Sequence, residues 1–190
     1  MLNIIKLKIT GTRPLLMNSD IYTNPLDERT KRHQMLIHKK KKTADDHEII
    51  ARSSWRGSMY FDDDIGPYLP GVNVESSLIA GAKLSRLGTQ IKRSIEIIED
   101  RCPLMYDGPR TVESLWSKKF YDARCVKVKM SRVMRYRPLF MQWQIACTVA
   151  FDPESIDRQQ VIKSFQDAGQ YIGIGDYRPK FGRYTVEENQ

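Results

Sequence analysis

The run Met141-Gln142-Trp143-Gln144-Ile145-Ala146-Cys147-Thr148-Val149-Ala150-Phe151 decides how the chain folds. Met141, Trp143, Ile145, Cys147, Val149 and Phe151 alternate with Gln142, Gln144, Ala146, Thr148 and Ala150. Successive side chains of a strand point to opposite faces, so this is a strand with one apolar face. A second alternation precedes it at 3–10, where Ile5, Leu7 and Ile9 interleave with Lys6, Lys8 and Thr10. A third follows the same rule at 125–130, with Val126, Val128 and Met130 set against Cys125, Lys127 and Lys129. Gly182 to Val186 reads as a short last strand, and Ser58 to Phe61 as another short one ended by Asp62-Asp63-Asp64.

Helices fall between these runs. Asn73 is placed to cap a helix through about Leu87, with Val74, Leu78, Ile79 and Ala82 on one face and Gly88 as its stop. Asp152-Pro153 opens another, whose stripe is Val161, Ile162, Phe165 and Ala168 and whose end is Gly169. Ile91, Ile95 and Ile98, about a turn apart, predict a further helical stretch over 89–102. Residues 103–123, with Pro103, Gly108 and Pro109, read as irregular. The strongest elements run strand, helix, strand, strand, helix, strand. That order is an α+β fold, the ferredoxin-like βαββαβ core, in which two helices cover one face of a four-stranded antiparallel sheet. Ile5, Leu7, Ile9, Trp143, Ile145 and Phe165 are expected in one core. The length of 190 residues suits a single domain over 1–190, interrupted by a basic arm at 18–57 and a second insertion at 89–123. The arm has too little periodicity for a core helix and reads as disordered or as ordered by a partner.

The chain carries +8, and the charge is segregated. From Arg29 to Lys42 lie seven basic residues and no acidic one: Arg29, Lys31, Arg32, Lys39, Lys40, Lys41 and Lys42. From Arg124 to Arg137 lie six more: Arg124, Lys127, Lys129, Arg132, Arg135 and Arg137. Without these thirteen the chain has 18 basic residues against 23 acidic. Two positive segments on an acidic body are the electrostatic footprint expected for a polyanion. The alternative is a solvated loop. No run of about 18 apolar residues suits a membrane span, and the start lacks a signal peptide's apolar centre, so a cytoplasmic protein is expected, with no membrane partner. Cys102, Cys125 and Cys147 form no C-x-x-C pair and read as buried free thiols.

The segment Gln170 to Tyr184 is the most distinctive. Gly173 and Gly175 allow backbone to approach a ligand, and Arg178, Lys180 and Arg183 add charge beside them, a combination suited to phosphate. Tyr171, Tyr177, Phe181 and Tyr184 are available to stack on bases or to pack the loop. The segment is not a P-loop, because no Gly-Lys-Ser/Thr follows. A packed helix-to-strand turn is the other reading. The apolar face of the 141–151 strand holds Trp143 and Phe151, so base stacking on the open sheet face is disfavoured, and a groove tracking phosphates suits Lys127 and Lys129 better. Asp62, Asp63 and Asp64 are candidate metal ligands for a nuclease, but consecutive carboxylates do not converge, and a turn is the simpler reading. His33 and His38 are five apart, which fails the metal-helix spacing, and no serine sits in a nucleophile elbow. No catalysis and no cofactor are expected.

The strand leading into Gly11-Thr12-Arg13-Pro14-Leu15-Leu16, the segment Tyr68-Leu69-Pro70-Gly71 opening the first helix, and the late Gly173-x-Gly175-x-x-Arg178-Pro179-x-Phe181-Gly182 resemble the RAMP superfamily, and within it the backbone subunits of CRISPR effector complexes. The resemblance implies an RRM-like core with inserted finger and thumb elements, guide RNA held by its phosphates, and assembly along the strand. It implies that Gly173, Gly175, Arg178 and Arg183 form the nucleic-acid-facing segment. The chain is small for such a subunit, which leaves open a minimal or virus-encoded relative, in a bacterial or an infected host cell, and a role in building or antagonising a complex. The expected partners are single-stranded RNA or DNA, with RNA favoured, and either copies of itself or a ribonucleoprotein. A protein-interaction module docking an acidic surface is the alternative.

Overall fold

A computed structural model describes all residues except Lys118, Lys129 and Gln190, and describes Val128 by its backbone alone. In chain order the elements are β1 (Asn3–Gly11), β2 (Leu15–Leu16), α1 (Glu28–His38), α2 (Ala44–Gly57), β3 (Phe61–Asp62), β4 (Gly66–Pro70), α3 (Gly71–Ala82), α4 (Gly88–Ser94), β5 (Ile95–Ile97), β6 (Arg101–Pro103), α5 (Val112–Leu115), β7 (Tyr121–Val128), β8 (Ser131–Phe140), β9 (Gln144–Phe151), α6 (Arg158–Asp167) and β10 (Tyr184–Glu188). They form two compact units. The first is Met1–Leu15, Phe61–Asp107 and Met141–Gln190, and the second is Leu16–Tyr60 and Gly108–Phe140.

In the first unit, β1 pairs antiparallel with β9 from Asn3↔Phe151 to Thr10↔Gln144, and on its other edge with β10. β5 closes the far edge through Ile95↔Phe151 to Ile97↔Val149. The sheet order β10-β1-β9-β5 is the ferredoxin-like order, with β1, α3, β5, β9, α6 and β10 as its six core elements. Period two does the sorting. Ile5, Leu7 and Ile9 of β1 and Ile145, Cys147, Val149 and Phe151 of β9 are all buried, against Val74, Leu78 and Ala82 of α3 and Val161 and Phe165 of α6. Each such Ile, Leu or Phe withdrawn from water contributes about 1.5–3 kcal/mol. Trp143 is buried with them and donates its indole N–H to the Arg13 carbonyl at 2.9 Å. The opposite sheet face carries Lys6, Lys8, Ala146 and Thr148 and no ring among the described residues. Thr148 donates there from its N–H and hydroxyl to the Glu99 carboxylate at 2.7 and 2.6 Å.

The second core strand is not where the alternation at 125–130 places it. β5 fills that role, and 121–128 instead pairs with β8 as the hairpin Tyr121↔Pro138 to Val128↔Ser131 of the second unit. The helical spacing of Ile91, Ile95 and Ile98 is overturned as well. α4 ends at Ser94, whose hydroxyl returns to the Gln90 carbonyl, and Ile95-Glu96-Ile97 then extends along β9. Ile91 is buried on α4, while beyond it Ile97 is buried between the exposed Glu96 and Ile98, which is strand alternation and not a continued helical stripe. α3 begins at Gly71 after Pro70, with Asn73 inside it, and it gives way at Lys83 to a single 3₁₀ turn; Gly88 opens α4 rather than stopping a helix. α6 is capped by Asp157 with Gln160 in a reciprocal box, five residues beyond the Asp152-Pro153 turn, and a π turn carries it past Gly169 to Gly173. The Ser58–Phe61 strand shifts to Phe61–Asp62, and the 141–151 strand loses Met141 to Trp143 to a bend.

The polar arm is helical. Asp27 accepts from the Arg29 N–H at 2.8 Å to start α1, and Thr43 with Asp46 makes a complete capping box for α2. Where the two helices meet, the contacts are aromatic and polar. Tyr22 stacks on His33 with ring centroids 4.4 Å apart, His33 Nδ1 and the Ser53 hydroxyl lie 2.9 Å apart, and the Tyr22 hydroxyl donates to the Ser53 carbonyl at 2.6 Å. Trp55 is fully buried and donates to the Phe120 carbonyl at 3.0 Å. Within 103–123 a short helix, α5, starts from a Thr111 cap, and β7 begins at Tyr121. No helix among the described residues is long and apolar enough to cross a membrane.

Candidate nucleic-acid interface

The glycine-rich loop joins the end of α6 to β10 in the first unit, and its path is set by hydrogen bonds on both sides. The Gly173 N–H donates to Ala168 O at 2.8 Å and its carbonyl accepts from the buried Ser77 hydroxyl at 2.9 Å. Ile174 N donates to Gly182 O, and Gly182 N to Pro14 O, each at 2.8 Å. The Arg183 carbonyl accepts from the N–H groups of both Thr12 and Arg13. The loop thereby closes against the end of β1, and Arg13 becomes a further exposed guanidinium beside it. Gly182 has φ +71, and a Cβ there would sit 1.7 Å from the Ile174 carbonyl oxygen, so only glycine fits. Gly173 and Gly175 have φ +80 and +85.

Arg178 and Lys180 are exposed and ion-pair with no described residue. The N–H groups of Gly175 and Arg178 donate to no described residue. Arg183 is half-buried, and its Nε is shielded from water without a hydrogen-bond partner among the described residues. Tyr177 is 48% exposed and Tyr171 52% exposed, whereas Tyr184 is buried against Ser77 and unavailable for stacking. Burial holds its hydroxyl well above the usual phenol range, opposed by the Ser77 hydrogen bond.

All other proposed cations among the described residues lie in the second unit. Arg29, Lys31 and Arg32 are on α1, Lys39 to Lys42 make the turn into α2, Lys127 is on β7, and Arg132, Arg135 and Arg137 are on β8. Lys129 lies outside the described residues. The structure therefore separates the sixteen described positions into a loop group and a helix–hairpin group. Several cations of the second group are engaged. Arg29 bonds Asp27 at 2.8 Å, Lys39 bonds Asp46 at 2.7 Å, and Lys42 donates to the Lys39 carbonyl at 2.9 Å. These guanidinium and ammonium partners hold the Asp27 and Asp46 carboxyls down to about 2. Arg124 pairs with Asp122. Lys31, Arg32, Lys40, Lys41, Lys127 and Arg132 are exposed and pair with no described residue. His33 is held below the usual imidazole range by burial and then by the charge of Arg135.

Sequence reasoning passes over Arg52 and Arg56, which lie one turn apart on α2 and join Arg29 and Arg32 around a cavity of about 540 Å³ that Leu36 and Ile49 also line. Their i, i+4 spacing is legible once α2 is read as a helix. Asp62 ends β3 and holds the turn after it: it accepts from the Asp64 and Ile65 N–H groups at 3.0 and 3.3 Å and pairs with Arg101. Among the described residues no cluster of three His, Cys, Asp or Glu is placed to hold a metal. Cys102 and Cys147 are buried, and burial pushes the Cys102 thiol up to about 12, while Cys125 is exposed on β7 against the expectation of burial.

No protein-family model matches the chain, and no curated protein matches it in sequence. Among solved structures it is similar to a chain of the type III-B Cmr-beta complex bound to cognate target RNA. The TM-score is 0.51 and the identity 12%, over 100% of this chain and 59% of that one. The two share a fold. This chain spans less than two thirds of that neighbour's length. It is also similar to Cmr6 from Pyrococcus furiosus, at 9% identity and a TM-score of 0.44, over 98% of this chain and 99% of that one. The RRM-like α+β fold is the one that the resemblance of the three sequence motifs to the RAMP superfamily implies.

Proposed function

We propose that the chain is a non-enzymatic subunit that binds single-stranded nucleic acid, RNA in preference, by its phosphates. The observation that carries this reading is the loop at 173–183. Hydrogen bonds on both flanks fix it, the N–H groups of Gly175 and Arg178 donate to no described residue, and the Arg178 and Lys180 side chains are exposed beside them. Phosphate oxygens satisfy such donors with charge assistance. In the second unit, the exposed cations of α1, of the turn after it and of the hairpin supply attraction for a polyanion that is independent of base sequence. The fold shared with a chain of an RNA-bound Cmr complex supports RNA over DNA and supports head-to-tail assembly within a ribonucleoprotein. The absorbance ratio of the purified protein tests this. Bound nucleic acid raises the 260-to-280 nm ratio, and ribonuclease treatment lowers it; a ratio at the protein value throughout, with no strand bound on addition, overturns the reading.

One observation favours a second reading, a module that docks an acidic protein surface. Arg29, Arg32, Arg52 and Arg56 line a cavity together with Leu36 and Ile49, with Glu113 as the acid among its lining residues. An acidic amphipathic segment complements that surface. Competition between the strand and such a peptide separates the two.

A further inference from the structure

In the second unit Trp116, Tyr121 and Tyr136 gather beside α2 and line a cavity of about 470 Å³ together with His47, Glu48 and Ala51. Trp116 stacks on Tyr121 with centroids 4.9 Å apart and planes 25° apart, and Tyr136 lies 5.8 Å from Tyr121 and 6.2 Å from Trp116. The buried Trp55 meets the Trp116 ring edge-on at 5.3 Å and fixes it from behind. All three lining rings are half-buried, so they are held in place yet still present surface to the cavity.

We propose that this cavity takes a nucleobase of the bound strand, an inference that rests on the single-strand reading above. Three observations select a base. Three aromatic rings line the walls, and stacking on such rings tolerates any base. Glu48 at the rim repels phosphate but accepts from an exocyclic amino group. The hairpin register then supplies the phosphate path. Tyr121, Ala123, Cys125 and Lys127 of β7 share a face with Tyr136, Met134 and Arg132 of β8. Ala123, Cys125 and Met134 are exposed, so that face leads openly from the rings to the cations Lys127 and Arg132 at its tip. Four residues of strand cover about 13 Å, within reach of a short stretch of backbone extending from the seated base.

The chain reports on this site directly. Of its three tryptophans, Trp55 and Trp143 are 0% and 2% exposed, so Trp116 supplies the accessible indole emission. The probes are a ten-nucleotide oligoadenylate RNA and a ten-unit abasic strand of the same backbone charge, added to the full chain. Oligoadenylate is expected to quench the emission and to bind at least about tenfold tighter than the abasic strand. The ratio is expected to fall to about one in Trp116→Ala. Because that variant removes a packed ring, Ser117→Leu is made beside it; this plugs the cavity from its rim, leaves the rings in place and is expected to give the same loss. Equal binding of both strands to the unaltered chain, with emission unchanged, overturns the pocket and leaves phosphate binding standing. Binding of neither strand overturns the single-strand reading and the pocket with it.

Discussion

The loop at 173–183 and the turn at 39–42 are both basic, but they hold their charge in different ways. In the loop the backbone is fixed first: Gly173, Ile174, Gly182 and Arg183 are each hydrogen-bonded to a neighbouring element, and the cations are carried on that frame. In the turn, Lys39 and Lys42 are spent on Asp46 and on the turn's own carbonyl, which leaves Lys40 and Lys41 free to project from the surface. A side chain whose position is set before a ligand arrives loses less freedom on binding than one that must be ordered by it. The loop is therefore the place for strong, geometry-dependent contacts, and the turn the place for weak, additive and salt-sensitive ones.

The sharpest break in that comparison is Gly182→Ala. With φ +71 and the Ile174 carbonyl in the way, the substitution is expected to cost more than about 3 kcal/mol in denaturant unfolding. Ordinary stability in this variant means that the loop is not a fixed frame. Next in size, Arg178→Ala is expected to lower single-strand affinity at least about tenfold with native far-ultraviolet dichroism, since a well-made charge-assisted bond is worth about 1.5–3 kcal/mol. Wild-type affinity would reduce the loop to packing. Smaller again, Lys40→Ala and Lys41→Ala are each expected to flatten the log–log salt dependence by about 0.7, equally for all base sequences. An unchanged slope makes the turn a bystander.

The smallest effect is one of pH. His33 is kept neutral in the fold by burial and by Arg135, whereas an unfolded His33 takes up a proton near its ordinary value of 6.5. Below that value the unfolded chain binds more protons, so this contribution is whole above pH 6.5 and is lost as pH falls towards the depressed folded value. Melting between pH 7.5 and 5 is expected to show a shallow decline that His33→Asn removes. Asp27 and Asp46, both held near 2, act in the separate window below 3.8. A decline in His33→Asn equal to that of the parent chain would place its origin elsewhere.

What could be read from the residues follows from which forces hold each part. β1 and β9 are legible because their burial is one-sided, and Trp143 and Phe165 go where alternation and the apolar stripe put them. β5 is hidden because a three-residue strand is too short for its period to compete with isoleucines spaced like a helix. β8 is hidden because it carries Arg132, Arg135 and Arg137 and buries only Pro138 and Phe140 near its end. α1 and α2 escape a search for apolar periodicity because they meet through Tyr22, His33 and Ser53. The loop's residues announce themselves by type, as glycine beside arginine. The ring cluster does not, since Tyr121 and Tyr136 come together only through the hairpin register and Trp116 joins them from the end of α5.

The most direct measurement is the binding of a labelled single-stranded RNA of about ten nucleotides across a salt series, for the unaltered chain and for the Arg178→Ala, Lys180→Ala double variant. The phosphate account predicts that the logarithm of the association constant falls linearly with the logarithm of salt, and that the variant loses affinity at every salt concentration with a slope shallower by about 1.4. An association constant independent of salt, or a double variant that overlays the parent chain, would contradict it.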